Sequence, residues 1–343
     1  MFTTTTKKQR DHGIRIEQLL SIISDIQVAS GEIPWHIDGK TDPWDHVESA
    51  MGLTVGRQSE RARRAYIWLK ETQEPDGSWP AARENGIVTD STRDANFVSY
   101  VAVGIYHYLL ATGDTDFARH MWHTVKSAVD FSLGLQAPGG EIHWAIDPNG
   151  RIDPMALLTA SSSVYMSVKC GMALADHLGE PMSQWRTPLR RLGQAISGKP
   201  QLFNMTKSRF SMDWYYPILC GAVTGFEAQQ RIDKYWKKYV VKDLGVRCVS
   251  DQPWVTIAET CELVLTLSAM GKHSLSEIVL GWIFDQTFED GSFWCGFTFP
   301  DMTVWPTEKI AWTNAAVLLA MDAVYHLTPA GQLFSHRYWY NRS

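Results

Sequence analysis

The chain has 343 residues, 45% of them hydrophobic and 20% charged, with a formal net charge of −5. A pI near 6.1 gives no global pull toward nucleic acid or anionic lipid, and no apolar run is long enough to span a bilayer. Met1-Phe-Thr-Thr-Thr-Thr-Lys-Lys-Gln-Arg10 lacks a signal-peptide core, and the five cysteines are odd in number and widely spaced. Free thiols, a cytoplasmic location and no metal are therefore expected.

In chain order, a flexible stretch is expected over 1–12, followed by one domain. Apolar periodicity predicts helices near 14–29, 43–56, 58–73, 93–112, 115–135, 155–178, 182–197, 213–224, 225–240, 253–271, 274–287 and 306–327. They alternate in character. The first of each pair is amphipathic, as in Arg61-Ala-Arg-Arg64, and the second is apolar nearly all round, as in Asn314-Ala-Ala-Val-Leu-Leu-Ala-Met-Asp-Ala-Val324. Links leaving the apolar helices are short and carry glycine; links entering them are long, which favours functional loops. Short hairpins are expected at 140–151 and 291–304. This alternation predicts an all-α (α/α)6 barrel, six inner and six outer helices with every long loop on one face.

The long loops share a glycine turn followed by tryptophan: Gln73-Glu-Pro-Asp-Gly-Ser-Trp79, Gln136-Ala-Pro-Gly-Gly-Glu-Ile-His-Trp144 and Glu289-Asp-Gly-Ser-Phe-Trp294. Gly31-Glu-Ile-Pro-Trp-His-Ile-Asp38 and Gly140-Glu-Ile-His-Trp-Ala-Ile-Asp147 are closer kin still. The motif resembles the QW repeat of squalene and hopene cyclases, a toroid shared with prenyltransferase β-subunits and with (α/α)6 glycoside hydrolases. The protonating Asp-x-Asp-Asp, the magnesium-binding Asp-Asp-x-x-Asp and the prenyltransferase zinc set are all absent. The repeat therefore marks architecture rather than chemistry. Ile33-Pro-Trp-His-Ile-Asp-Gly-Lys-Thr-Asp-Pro-Trp-Asp-His-Val-Glu48 and Trp254-Val-Thr-Ile-Ala-Glu-Thr-Cys-Glu262 are similar to the mycobacterial methylmannose polysaccharide hydrolases. That resemblance implies an endo-acting hydrolase of intracellular α-1,4-linked 3-O-methylmannose polysaccharide, with no cofactor. A terpene cyclase or prenyltransferase-like enzyme and a non-catalytic carbohydrate-binding toroid are the competing readings.

Glycoside hydrolysis needs two carboxyl groups at the scissile bond. The apolar helix near 253–271 carries Glu259 and Glu262 on one face, and the one near 43–56 carries Asp42, Asp45 and Glu48. Asp42 before Pro43 reads as an N-cap, with Asp45 near N3 as its capping partner. Glu262, which the resemblance favours, is expected as general acid and Asp45 as base or nucleophile, with Glu259 in reserve. His46, Glu48, Arg93, Asp94, Asp213 and Tyr215 are expected to contact sugar, and Trp35, Trp79, Trp144, Trp254 and Trp294 to stack on it. For each tryptophan, service as a packing anchor competes with that role. For His46 and the aspartates, structural hydrogen bonding competes.

Overall fold

The computed structural model describes residues 16–342; the stretch over 1–12 lies outside them. The helices run α1 (Ile16–Ile26), α2 (Pro43–Val55), α3 (Ser59–Thr72), α4 (Ala95–Ser99), α5 (Val101–Thr112), α6 (Thr115–Gly134) and α7 (Leu158–Leu178). They continue with α8 (Arg186–Gly198), α9 (Ser211–Leu219), α10 (Gly225–Tyr239), α11 (Ile257–Ala269), α12 (His273–Gly281), α13 (Ala311–Tyr325) and the short α14 (His336–Tyr340). Helices α4 and α5 form one inner helix interrupted at Tyr100. The inner helices α2, α5, α7, α9, α11 and α13 each pack on the next, and α13 closes the ring against α2. Their composition explains the placement. In α13 every residue from Ala311 to Ala323 except Trp312 is buried, whereas in α3 only Ala62, Ala65, Tyr66, Trp68 and Leu69 are. The chain is therefore the (α/α)6 barrel that the alternation predicts.

Two elements stop short of their expected ends. Helix α9 ends at Leu219, two residues after the internal Pro217 and just before Gly221 at a φ of 73°, and α12 gives way to turns after Gly281.

The strands all lie in the loops that enter inner helices, and they stitch neighbouring loops together. In one sheet β1 (Lys40–Thr41), β2 (Ala82–Glu84) and β3 (Ile87–Asp90) join the loops before α2 and α4; a second joins β4 (Arg93–Asp94), β5 (Ala145–Ile146) and β6 (Ile152–Asp153). A third orders β7 (Val240–Val241), β8 (Gly245–Arg247), β9 (Trp254–Thr256) and β10 (Gly296–Thr298) as β10-β9-β8-β7.

The glycine turns explain the repeat. Gln27, Gln73 and Gln136 each end an outer helix and donate Nε2 both to the glycine carbonyl four residues on and to a carbonyl of the next outer helix. The latter are Arg61, Thr124 and Pro188, at 3.0, 3.0 and 2.9 Å. The glycines Gly31, Gly77 and Gly140 have φ of 100°, 90° and 108°, a region L side chains avoid. A Cβ on any of them would also lie within 2.6 Å of a carbonyl oxygen of that next outer helix. Two residues after each glycine comes a buried anchor, Ile33, Trp79 or Ile142, and Phe293 plays this part after Gly291.

Four residues after glycine, the backbone carbonyl of Trp35, Trp144 or Cys295 accepts the first amide of the preceding inner helix: Ala311 at 2.7 Å, Ala95 at 2.9 Å and Ile257 at 3.1 Å. The remaining loop faces α2, whose first residue is Pro43 and has no amide to cap.

Candidate active site

Counted from their loop-facing starts, the inner helices present equivalent positions around the barrel. The third residues of the inner helices are Asp45, Phe97, Ala160, Asp213, Glu259 and Thr313; one turn deeper come Glu48, Tyr100, Ser163, Tyr216, Glu262 and Ala316. Glu48, Tyr100, Ser163, Tyr216 and Glu262 of the deeper layer jointly line an enclosed cavity of about 10 Å³, closed below by Met166, Leu265 and Phe334. It has room for about one water molecule. The deeper layer is thus the floor of the lumen, and the Asp45–Glu259 layer lies between it and the mouth.

Around Asp45 the charges are arranged to retain a proton. Asp42 caps α2, its Oδ1 accepting the Asp45 amide at 2.9 Å and its Oδ2 accepting Trp35 Nε1 at 2.7 Å. Burial first, then the Asp42 charge, a hydrogen bond to Asp42 and the Glu48 charge raise the Asp45 carboxyl well above the usual range; Lys40 opposes them. Lys40 sits 4.0 Å above the Trp35 ring, which meets Trp312 edge-on at 6.1 Å.

Glu259 is half-buried on α11. Its charge acts on Cys295, and so does that of Asp45, so both carboxyls face one region beside the start of α13. Glu262 is 6% exposed, with Oε2 accepting from the Tyr215 hydroxyl and Oε1 from Tyr216 at 2.5 Å. Burial, then Glu259 and Glu48, push its carboxyl up, and the two phenols pull against them. Glu48 accepts from Tyr100 at 3.0 Å and is raised by burial to about 7.

The other expected site residues divide by environment. His46 is fully buried: Nδ1 accepts the Ile33 amide at 3.1 Å, so Nε2 carries the proton and donates to the Ala65 carbonyl at 3.0 Å. Burial lowers it to about 4. This ring pins a loop and is closed to sugar, which corrects the expectation of a binding histidine. Ser161 and Asn314 receive the Ile142 and Phe293 amides from the equivalent position of their helices.

Trp79 is 2% exposed with Nε1 on the Leu69 carbonyl at 2.9 Å. It occupies the anchor position two after glycine, not the cleft, because its spacing differs from that of Trp35 and Trp144 (four after glycine). Tyr215 is buried with its hydroxyl on Glu262 and offers no stacking face. Arg93 is held by Asp76 at 2.8 Å, and Asp213 bridges to the Thr159 hydroxyl at 2.7 Å and its amide at 3.2 Å. Asp94 caps α4 and accepts Trp144 Nε1.

Trp35, Trp144, Trp254 and Trp294 remain half-buried in the long loops. Trp254 meets Trp305 edge-on at 5.5 Å, and Trp305 is 62% exposed. Trp305, Trp312 and Lys40 are not among the expected sugar contacts, although Trp305 directly precedes the helix predicted near 306–327.

No family model matches the chain. It is 48% identical over 317 residues to the MMP endo-(1,4)-3-O-methyl-alpha-D-mannosidase of Mycolicibacterium hassiacum, covering 92% of this chain and 88% of that one. Among solved structures, a glycosidase variant in complex with glucose superposes with a TM-score of 0.73 at 14% identity, covering 95% of this chain and 100% of its own. A family-63 mannosylglycerate hydrolase from Thermus thermophilus gives 0.71 at 11% identity, over 89% of this chain and 99% of its own. A D-mannose isomerase gives 0.68 at 11% identity, over 95% and 99%. Hydrolase and isomerase alike wear this fold, so those likenesses show the fold alone.

Proposed function

This chain belongs to the family of the MMP endo-(1,4)-3-O-methyl-alpha-D-mannosidase, and we propose that it cleaves internal α-1,4 bonds of a 3-O-methylated mannose polysaccharide. Asp45 is the general acid and Glu259 its carboxylate partner. The observation that carries the assignment is the layering: these two carboxyls stand in the upper layer, where the third carboxyl, Asp213, is held by Thr159, while Glu262 and Glu48 lie one turn below around a small cavity. The shift of general acid from Glu262 to Asp45 follows from their hydrogen bonds. Both oxygens of Glu262 are occupied by phenols, whereas Asp45 has the Asp42 carboxylate beside it to hold a proton in place.

In the reaction, Asp45 gives its proton to the bridging oxygen as the bond from that oxygen to the anomeric carbon breaks. Glu259 supports the incoming water, by taking its proton in a single displacement or by first bonding the anomeric carbon itself. Either way one water is consumed and two shorter glycans leave. The half-buried rings Trp35, Trp144, Trp254 and Trp294, with exposed Trp305, supply apolar faces for pyranose rings, and each O-methyl group adds apolar area to bury. The unpaired state of the five cysteines agrees with a reducing compartment, the cytoplasm.

The test is digestion of 3-O-methylmannose polysaccharide and of unmethylated α-mannan by the full chain and by Asp45→Asn, Glu259→Gln and Glu262→Gln. The expected result is preferential cleavage of the methylated glycan, abolished in the first two variants. No cleavage of either glycan, or full activity in both variants, would overturn the reading.

A further inference from the structure

A cavity of about 860 Å³ lies away from the mouth. It lies on the opposite, closed face, between the second half of α7, α8, the link from α9 to α10 and the C-terminal α14. Its size is that of a small-molecule site. Met172, Ala173, Leu189 and the ring of Trp339 give it apolar lining. Beside them stand the cations Lys169, Arg337 and Arg342, with Asp176 as the one carboxylate among the lining residues; His336 also lines the cavity, its Nε2 meeting the Ile218 carbonyl at 2.7 Å and burial lowering its pKa.

Lys169 is the informative group. Its ammonium projects from an inner helix, 4.4 Å from the Trp339 ring centre and 5.4 Å from that of Tyr165. Among the described residues its one hydrogen bond is a 3.3 Å contact to the Cys220 carbonyl. No ion pair joins it to a carboxylate among the described residues, a costly state for an ammonium withdrawn from water. Burial lowers it to about 8. Gly221 brings the chain close beneath it, a Cβ there being 3.1 Å from Nζ. Thr224 and Gly225 open the 15-residue α10 onto the same groove, and Thr224 makes no side-chain cap. The free amides of that first turn add positive potential beside the ammonium.

We propose that this groove binds an anionic amphiphile, a carboxylate head on an aliphatic chain. The head sits between Lys169 and the start of α10, and the chain lies along Met172, Ala173 and Leu189. Cation and apolar lining share one cavity, so neither a bare anion nor a neutral chain satisfies both. The site is independent of the glycan reading, since none of its residues reaches the mouth.

Isothermal titration of the full chain with decanoate tests it, with acetate supplying the head alone and decyltrimethylammonium the same tail with the opposite charge. Decanoate binds saturably with one-to-one stoichiometry, and both controls bind at least about tenfold more weakly. Lys169→Met, which keeps the stem and removes the charge, lowers decanoate affinity at least about tenfold. Met172→Glu, at a half-exposed wall position, lowers it by repulsion, so the inference does not rest on one buried substitution. Both variants retain glycan hydrolysis, which reports that they are folded. Absence of decanoate binding, equal binding of decyltrimethylammonium, or affinity that survives both substitutions would overturn the proposal.

Discussion

Asp45 acts as an acid only while protonated, so kcat/KM falls as pH rises past its folded pKa. Its largest local support after burial is the Asp42 charge. Asp42→Asn therefore moves the alkaline limb of the kcat/KM profile to lower pH, and a limb that stays in place contradicts the pairing. Stability carries a second pH signature. Glu48 is raised from 4.5 to about 7, so its contribution is complete below pH 4.5 and is lost as pH rises through 7. Glu48→Gln removes that loss, and urea denaturation across this window reads it as improved relative stability at the alkaline end. His46, depressed from 6.5 to about 4, works the other way: its contribution is complete above 6.5 and is lost as pH falls toward 4. At this scale the sequence was partly legible. Asp42 as N-cap and Asp45 at N3 follow from the Asp-Pro pair, and both stand so in the fold. The burial of His46 was not legible, because only the fold shows that Ile33 and Ala65 converge on its two nitrogens.

The glutamine staples connect neighbouring outer helices, so their removal weakens the ring without touching the lumen. Gln73→Ala and Gln136→Ala each leave the 3.0 and 2.9 Å inter-helix contacts unmade and cost about 1–3 kcal/mol. Thermal unfolding should show the loss while KM for the glycan stays unchanged; a KM effect without a stability effect would give these residues a different role. The repeat was visible in the sequence at Gln73 and Gln136; Gln27 was not joined to them, because the kinship of its loop with the Gly140 loop shows from Gly31 onward. Hydrophobic periodicity located all six helix pairs, since burial of the inner helices is written in their composition. The pairing between loops was harder to see: β1 pairs with β2 and β5 with β4 across distant loops, whereas β5 with β6 falls at the hairpin expected near 140–151.

A closed ring gives the molecule two unlike faces, one of long stitched loops and one of short links. The aromatic loops and the acidic layers belong to the first, which is why a glycan site is read there although the larger cavity lies behind. Trp305, exposed beside Trp254 at 5.5 Å, extends the apolar surface beyond the catalytic level. Trp305→Ala raises KM for long glycans with little change in melting temperature, measured by initial rates and calorimetry; unchanged KM would remove Trp305 from the cleft. The central claim is that the upper acidic layer, not the floor, performs the chemistry. Its most direct test is single-turnover cleavage of one 3-O-methylmannose oligosaccharide by wild type, Asp45→Asn, Glu259→Gln and Glu262→Gln. A fall of about a hundredfold to ten-thousandfold is expected in the first two variants and a loss within about tenfold in Glu262→Gln. A Glu262→Gln defect as deep as the others, with Glu259→Gln near wild type, would place the chemistry on the floor and contradict that claim.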